Sequence, residues 1–415
     1  MNELVGSCIL GQSGGPTAVI NSSVYGIILT AFKARSITRV LGAKNGITGV
    51  INGELYDVEA EDPAELALLV STPSSVFGTC RYKLKEFEED ETEYIKILDT
   101  FKKFDVRYFF YIGGNDSMDT CHKISMYLDE HNYPCRVIGV PKTIDNDLWF
   151  TDHCPGFGSA ARYIALTCME LAADARVYEI KQVTIVEIMG RNAGWLTAAS
   201  AIASETGLGP DLIYLPERPF DFDEFYEDVK EVLDEHNYCF VAVSEGLVDN
   251  EGNLIAKLGA KGAHQKDSFG NAMLGGVNHV LANFVRSRFK VKVRNIDLSA
   301  MQRCAAHLAS LTDADEAFRI GVDAVESALK GMTGCMAALE RVSVNPYRCN
   351  VNYIDLNEVA NKEQKVPDMW INTRGNGLTS GFIDYCRPLI MGDRPITMVN
   401  GLPRFAKLKK IIAKP

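Results

Sequence analysis

Hydrophobic positions along the chain fall into two alternating kinds of segment. Short, almost unbroken apolar runs occur at Ser7–Leu10, Ile37–Leu41, Tyr108–Ile112, Arg136–Val140, Val183–Ile188, Leu212–Leu215 and Cys239–Val243, the pattern of strands buried on both faces. Between them, Thr17–Phe32, Glu91–Phe104, Ser117–Asp129, Ser159–Tyr178, Ala193–Ser204 and Phe222–Asn237 carry apolar residues at three-four spacing, which predicts helices. Strand followed by helix, repeated, predicts an α/β fold of largely parallel sheets with helices on both faces. Ligands of such folds bind beyond the carboxyl ends of the strands. The segments after those ends are where chemistry is to be sought.

Composition narrows the classes. A chain of 415 residues has room for two or three domains of about 100–200 residues each. Its formal charge of −11 argues against nucleic acid as a partner, because sequence-independent binding needs a cationic surface. Local cations and backbone amides can still build an anion site. No run approaches the roughly 18 apolar residues of a membrane span, and the N-terminus does not read as a signal peptide. The 11 cysteines stand singly with no CxxC pair, which points to a reducing, cytoplasmic compartment. Histidine spacing offers no zinc motif. There is no internal repeat at 20–50-residue period. The stretch Ala260–Gly276 reads as a mobile loop, and the basic end Lys407–Pro415 as a solvated helix end.

Three predicted strand ends break into unusual turns. The first is Gly11-Gln12-Ser13-Gly14-Gly15-Pro16-Thr17. Glycines let amides approach an anion, and a following helix N-terminus adds positive partial charge, so this loop reads as a phosphate cradle with Thr17 as a helix cap. The second, Gly113-Gly114-Asn115-Asp116-Ser117, sets a carboxylate beside amides. If phosphate binds there, a cation such as Mg2+ is implied; the plain alternative is Asp116 or Ser117 as an N-cap. The third is Pro141-Lys142-Thr143-Ile144-Asp145-Asn146-Asp147. In extended backbone, Asp145 and Asp147 point to the same side. Two like charges about 4 Å apart cost roughly 4 kcal/mol at an effective dielectric of about 20. A general base beside a metal-linked acid makes use of that arrangement; a stable loop does not need it.

Two more turns carry arginines, Gly78-Thr79-Cys80-Arg81-Tyr82 and Met189-Gly190-Arg191-Asn192, and the planar guanidinium suits phosphate oxygens. Arg294 and Arg303 flank a further apolar-polar segment. The P-loop pattern is absent, and Gly156-Phe157-Gly158-Ser159-Ala160-Ala161 lacks the preceding apolar strand that a dinucleotide fingerprint requires.

In order, the pieces GQSGGPT, GTCRY, IGGNDS, PKTIDND, VEIMGR, the turn Ser244-Glu245-Gly246 and Arg294 to Arg303 resemble the phosphofructokinase family over residues from about 7 to 305. The resemblance implies two Rossmann-like domains with mostly parallel sheets facing an active-site cleft. It places a donor-binding domain at 1–156 plus about 303–360, and a sugar-binding domain at 157–302 plus about 361–415. It implies phosphoryl transfer to the 1-hydroxyl of fructose 6-phosphate, with Mg2+ and a homodimer or homotetramer. Asp145 would be the general base, Thr143 would hold the transferred group, and Lys142 and Arg191 would neutralise charge. Gly11, Gly14, Gly15, Arg81, Gly114, Asp116 and Ser117 would hold the donor. Met189, Gly190, Arg191, Glu245, Arg294 and Arg303 would hold the sugar phosphate, together with Thr143, Asp145 and Asp147. Arginines of this kind often act across a subunit boundary in the family. Asp116 and Asp147 would serve the metal.

ATP-dependent members typically have glycine where Asp116 and Lys142 stand, while pyrophosphate-dependent members carry Asp and Lys. An aspartate adds bulk and negative charge where a nucleotide's further phosphate would pass, and lysine's compact charge suits a small diphosphate. The resemblance thus implies pyrophosphate as donor. An ATP-dependent enzyme is the alternative, and a non-catalytic sugar-phosphate-binding subunit a second. Asn115 departs from the family's first acid in GGD. Ala300 and Gln182 depart at places that contact the 6-phosphate, where Lys181 is a neighbouring cation.

Overall fold

A computed structural model describes residues 4–259, 276–360 and 362–415. Except for Gly276, the stretch read as a mobile loop lies outside the described residues. Among the described residues, besides a two-stranded ribbon of Met398–Val399 and Leu402–Pro403, eleven strands form two sheets: β1 Gly6–Gln12, β2 Ile37–Ala43, β3 Leu55–Asp57, β4 Val106–Gly113, β5 Arg136–Pro141, β6 Gln182–Ile188, β7 Leu212–Tyr214, β8 Tyr238–Ser244, β9 Lys292–Asp297, β10 Cys335–Val344 and β11 Tyr347–Asp355. The first sheet runs β11-β10-β5-β4-β1-β2-β3 and the second β7-β8-β6-β9. All pairings in the second sheet are parallel. The first is parallel except where β3 and β11 close its two edges.

The fully apolar strands are explained by what covers them. On β1, Cys8 and Leu10 face the helices Ile20–Ala31 and Leu311–Leu329. Ile9, one residue out of phase, faces Thr92–Lys103 and Asn115–Glu130. The period of two thus feeds two separate cores. The first pair of helices packs very closely. A Cβ on Gly26 would stand 2.2 Å from the Phe318 carbonyl oxygen, and one on Gly321 2.3 Å from that of Ser23. On the second sheet, Val186 and Ile188 pack on the helix Phe157–Ala175 and on Trp195, while Val183 and Ile185 pack on Phe222–Glu235 and Val277–Arg288.

Some predicted elements differ in extent. The first helix starts at Ile20 after an uncapped Val19. Thr17 Oγ1 accepts from the Val19 N–H, so it orders the approach to the helix and does not cap it. Ala193–Ser204 divides into Trp195–Ala199 and Ala201–Ser204, where the buried Ser200 hydroxyl bonds back to the Thr197 carbonyl. The basic end is not helical. Its N–H groups at Lys407, Lys409 and Lys410 donate to the carboxylates of Glu65 and Glu61, and Ala413 pairs with Leu55 and is buried. The last ten residues therefore lie on the first sheet, not with the second. No helix among the described residues is long and apolar enough to cross a membrane.

Candidate active site

The two sheets meet at a cleft of about 620 Å3. From the first body come Ser13–Pro16, Arg81, Tyr82, Gly114–Ser117 and Lys142–Asp147 without Asn146; the second supplies Met189, Arg191, Asn192, Glu245 and Arg303, and the C-terminal segment Glu363. Every one of these segments follows the carboxyl end of a strand or connects two elements there, as the fold class requires.

The donor end is a ring of short links. The Lys142 ammonium donates to the Gly15 carbonyl at 2.6 Å, and Thr79 Oγ1 donates to the Gly14 carbonyl at 2.8 Å. The Gly14 N–H donates to Cys80, which fixes the neighbouring Arg81. Gly14 has φ +73°, a value that disfavours a side chain. The helix Asn115–Glu130 starts directly after Gly114, so Asp116 and Ser117 occupy its first turn and neither is the cap. Burial lowers the Lys142 pKa to about 8 against the pull of Asp145 and Asp147.

At the centre, Thr143 Oγ1 accepts from the Asp145 N–H at 3.1 Å. The backbone is not extended there: Asn146 has φ +54°. Asp145 and Asp147 share the cleft because of this turn and not by alternation. Burial raises both carboxyls, with Glu363 adding to each; Lys142 opposes the rise at Asp145. The loop closes where Asp313, from the helix Leu311–Leu329, accepts from the Gly156 and Ser159 N–H groups at 2.8 and 2.9 Å and caps the next helix.

On the sugar side, the Ser244–Gly246 turn lies against Arg191. A Cβ on Gly246 would stand 1.8 Å from the Arg191 carbonyl oxygen, so only glycine permits the approach. The Gly190 N–H faces Glu245 Oε1 at 3.4 Å, and Met189 N–H donates to Gln302. Burial and then the Asp145 charge push the Glu245 carboxyl up to about 7. Arg303 Nη1 reaches across to within 3.1 Å of a Cβ built on Gly15.

Several predicted residues lie elsewhere. Gly11 is inside β1, where a side chain would strike the Tyr111 ring; Gly14 and Gly15 occupy the cleft instead. Arg294 pairs with Asp174 and stacks on Tyr178 outside the cleft. Gln182 is buried against the Ala175 carbonyl and Lys181 bonds Leu233, both at the far end of β6 from Met189. Glu363, Asn192 and Tyr82 line the cleft without having been singled out. Glu363 bonds Asn192 at 2.8 Å and comes from a segment without motif, whereas Tyr82 stood within GTCRY.

The profile described as Phosphofructokinase matches residues 7–328. The chain belongs to that family. Several relatives carry the name pyrophosphate–fructose 6-phosphate 1-phosphotransferase. That of Xanthomonas campestris is 45% identical over 98% of this chain and 97% of its own. That of Methylococcus capsulatus is 41% identical over 96% and 94%. The pyrophosphate-dependent phosphofructokinase of Marinobacter aquaeolei superposes with a TM-score of 0.89 at 38% identity, covering 99% and 98% of the two chains. Phosphotransferases of the family generally need a divalent metal, and the cleft suits one. Its donors are hard carboxylate oxygens from Asp116, Asp145 and Asp147, and both side-chain polar atoms of Asn115 are buried without a partner. The His153, Glu316 and Cys349 cluster is a different matter. Both imidazole nitrogens are 2.7 Å from carboxylates, which leaves no lone pair for a metal.

Proposed function

We propose that this protein reversibly transfers a phosphoryl group from pyrophosphate to the 1-hydroxyl of fructose 6-phosphate, giving fructose 1,6-bisphosphate and phosphate. The observation that carries the choice of donor is Asp116 in the first turn of its helix, in one cleft with the Lys142 ammonium. The carboxylate occupies the route a nucleotide's remaining phosphate would take, and the ammonium neutralises a compact diphosphate.

Asp145 takes the proton of the sugar 1-hydroxyl as that oxygen bonds to the terminal phosphorus. The bridging P–O bond breaks and its electron pair leaves with phosphate. Such a base contributes about 10²–10⁴-fold. Gly15 and the helix start at Asn115 offer amides to the donor, Gly14 shapes the turn that presents them, and Arg81, Lys142 and Ser117 stand around it. Thr143 and Arg191 meet the moving phosphoryl group; Met189, Gly190, Glu245 and Arg303 orient the sugar. Mg2+, held by Asp116 and Asp147 with Asn115 adjacent, would supply charge neutralisation on the phosphates. Arg294, turned outward and paired with Asp174, would serve a neighbouring subunit in a homodimer or homotetramer. The eleven free cysteines suit the cytoplasm.

The test is turnover of fructose 6-phosphate with Mg2+ and either pyrophosphate or ATP, following fructose 1,6-bisphosphate. Product with pyrophosphate and little with ATP is expected. Faster turnover with ATP overturns the donor assignment, and no product with either favours the non-catalytic alternative.

A further inference from the structure

The loop 142–156 carries the base yet contains no helix or regular strand. On the cleft side it is tied by Asp145 to Thr143 and by the Thr143–Gly156 bridge. Asp313 and Glu316 hold its far end at Gly156 and His153, and a further set of ties behind the cleft comes from chain beyond the family match. Asn146, between the two aspartates, is buried and directs its amide away from the cleft. Its Oδ1 accepts from the Cys154 N–H at 2.8 Å. Its Nδ2 donates to the Tyr385 hydroxyl at 2.8 Å. That hydroxyl in turn donates to the Asp152 carbonyl at 2.7 Å. One oxygen on the helix Ser380–Cys386 therefore joins two points of the catalytic loop, at Asn146 and Asp152.

The hydroxyl is itself firmly placed. The Tyr385 ring packs 5.4 Å from Trp195 and 5.0 Å from Trp370. The Arg341 guanidinium lies over it at 4.7 Å, donates to the Tyr385 carbonyl at 2.9 Å and grips Asp152 Oδ1 at 2.9 and 3.1 Å. Helix, loop and β10 thus form one closed circuit. A left-handed residue beside a catalytic group persists only where its surroundings over-determine it, and Tyr385 with Cys154 supplies that determination.

We propose that Tyr385 is a positioning residue for phosphoryl transfer: through Asn146 it holds the Asp145 carboxylate in its reacting position. This rests on the base assignment made above. It predicts a particular signature, because a brace behind the base touches neither substrate.

The decisive variant is Tyr385→Phe, which keeps the ring in its aromatic cluster and removes only the bridging oxygen. With whichever donor the native protein turns over, kcat is expected to fall about tenfold to a hundredfold, the scale of an ångström-sized misplacement. KM for both substrates should stay within about threefold, because neither substrate contacts Tyr385. Rates are taken per folded molecule, from the folded fraction measured by circular dichroism. An unchanged kcat, or a loss residing in KM, overturns the proposal. Asn146→Ala provides the second arm: in an Asn146→Ala background, Tyr385→Phe should cost nothing further, and additive losses overturn the brace. Hydrogen exchange of amides 143–156 is read on the same proteins. It should accelerate in Tyr385→Phe, and unchanged exchange counts against the proposal even if the native protein turns over neither donor, an outcome that separately defeats the functional reading.

Discussion

The Lys142 ammonium and the Gly15 carbonyl, 127 positions apart in sequence, meet at 2.6 Å. This contact joins the glycine loop to the catalytic loop and aims a buried cation at the donor end of the cleft. Burial brings its pKa down to about 8, so the charge is present at neutral pH and lost as pH rises through that value. In the free enzyme, kcat/KM for pyrophosphate should fall above a pH of about 8, approaching tenfold per unit. Lys142→Arg, whose charge persists, should move that limb upward. A native profile flat to a pH of about 10 would show that this ammonium does not serve the donor.

Asp116 has only Lys83 as a salt-bridge partner among the described residues, at 3.9 Å with both side chains about half exposed, too weak a pairing to cancel its charge. Asp116→Gly combined with Lys142→Gly should therefore shift the ratio of ATP to pyrophosphate turnover upward by about a hundredfold or more, since roughly 4 kcal/mol of close-range repulsion is removed. Unaltered rejection of ATP in the double variant would mean that donor choice is made elsewhere.

Replacing Asp145 by Ala should lower kcat by about 10²–10⁴-fold while calorimetric binding of fructose 6-phosphate stays within about threefold, because Met189, Arg191, Glu245 and Arg303 remain. Retention of native turnover would remove Asp145 from the role of base.

His153 makes stability depend on pH. Its burial alone would favour the neutral ring. The Glu316 charge and the bond to Asp152 outweigh that and raise the pKa to about 9 from 6.5. A pKa raised by folding stabilises fully below the unfolded value and is lost as pH climbs through the folded one. Unfolding free energy should thus drop by about 3 kcal/mol between a pH of about 6 and 9.5. His153→Gln should flatten that decline. Urea melts at the two pH values decide it, and an equal slope in both proteins would assign the decline to other groups.

Buried strands were readable because each is covered on both faces, as Cys8, Ile9 and Leu10 show by feeding opposite cores. Partly exposed strands were not. In β9 no residue is fully buried, and β11 largely alternates exposed with buried or half-buried positions, so neither shows a continuous apolar run; β10 is apolar only over its first half, before it runs out with β11 as an exposed hairpin. The cleft was legible wherever glycine or charge interrupts a strand end. Tyr385 and Glu363 were invisible because their significance lies in which distant residue they meet, and local patterns carry no trace of a partner more than 200 positions away in the one case and 171 in the other. Gly11 looked like part of the phosphate cradle because composition cannot tell the last residues of a strand from the turn that follows.

Gly14, Gly15, Arg81, Asp116 and Lys142 all hang from the first sheet, whereas Met189, Arg191 and Glu245 hang from the second. A rigid rotation of one half against the other would thus leave the diphosphate seat whole while moving the sugar contacts relative to it. The molecule is built like a vice with one fixed jaw: what the fixed jaw grips need not be released for the other to exchange its cargo.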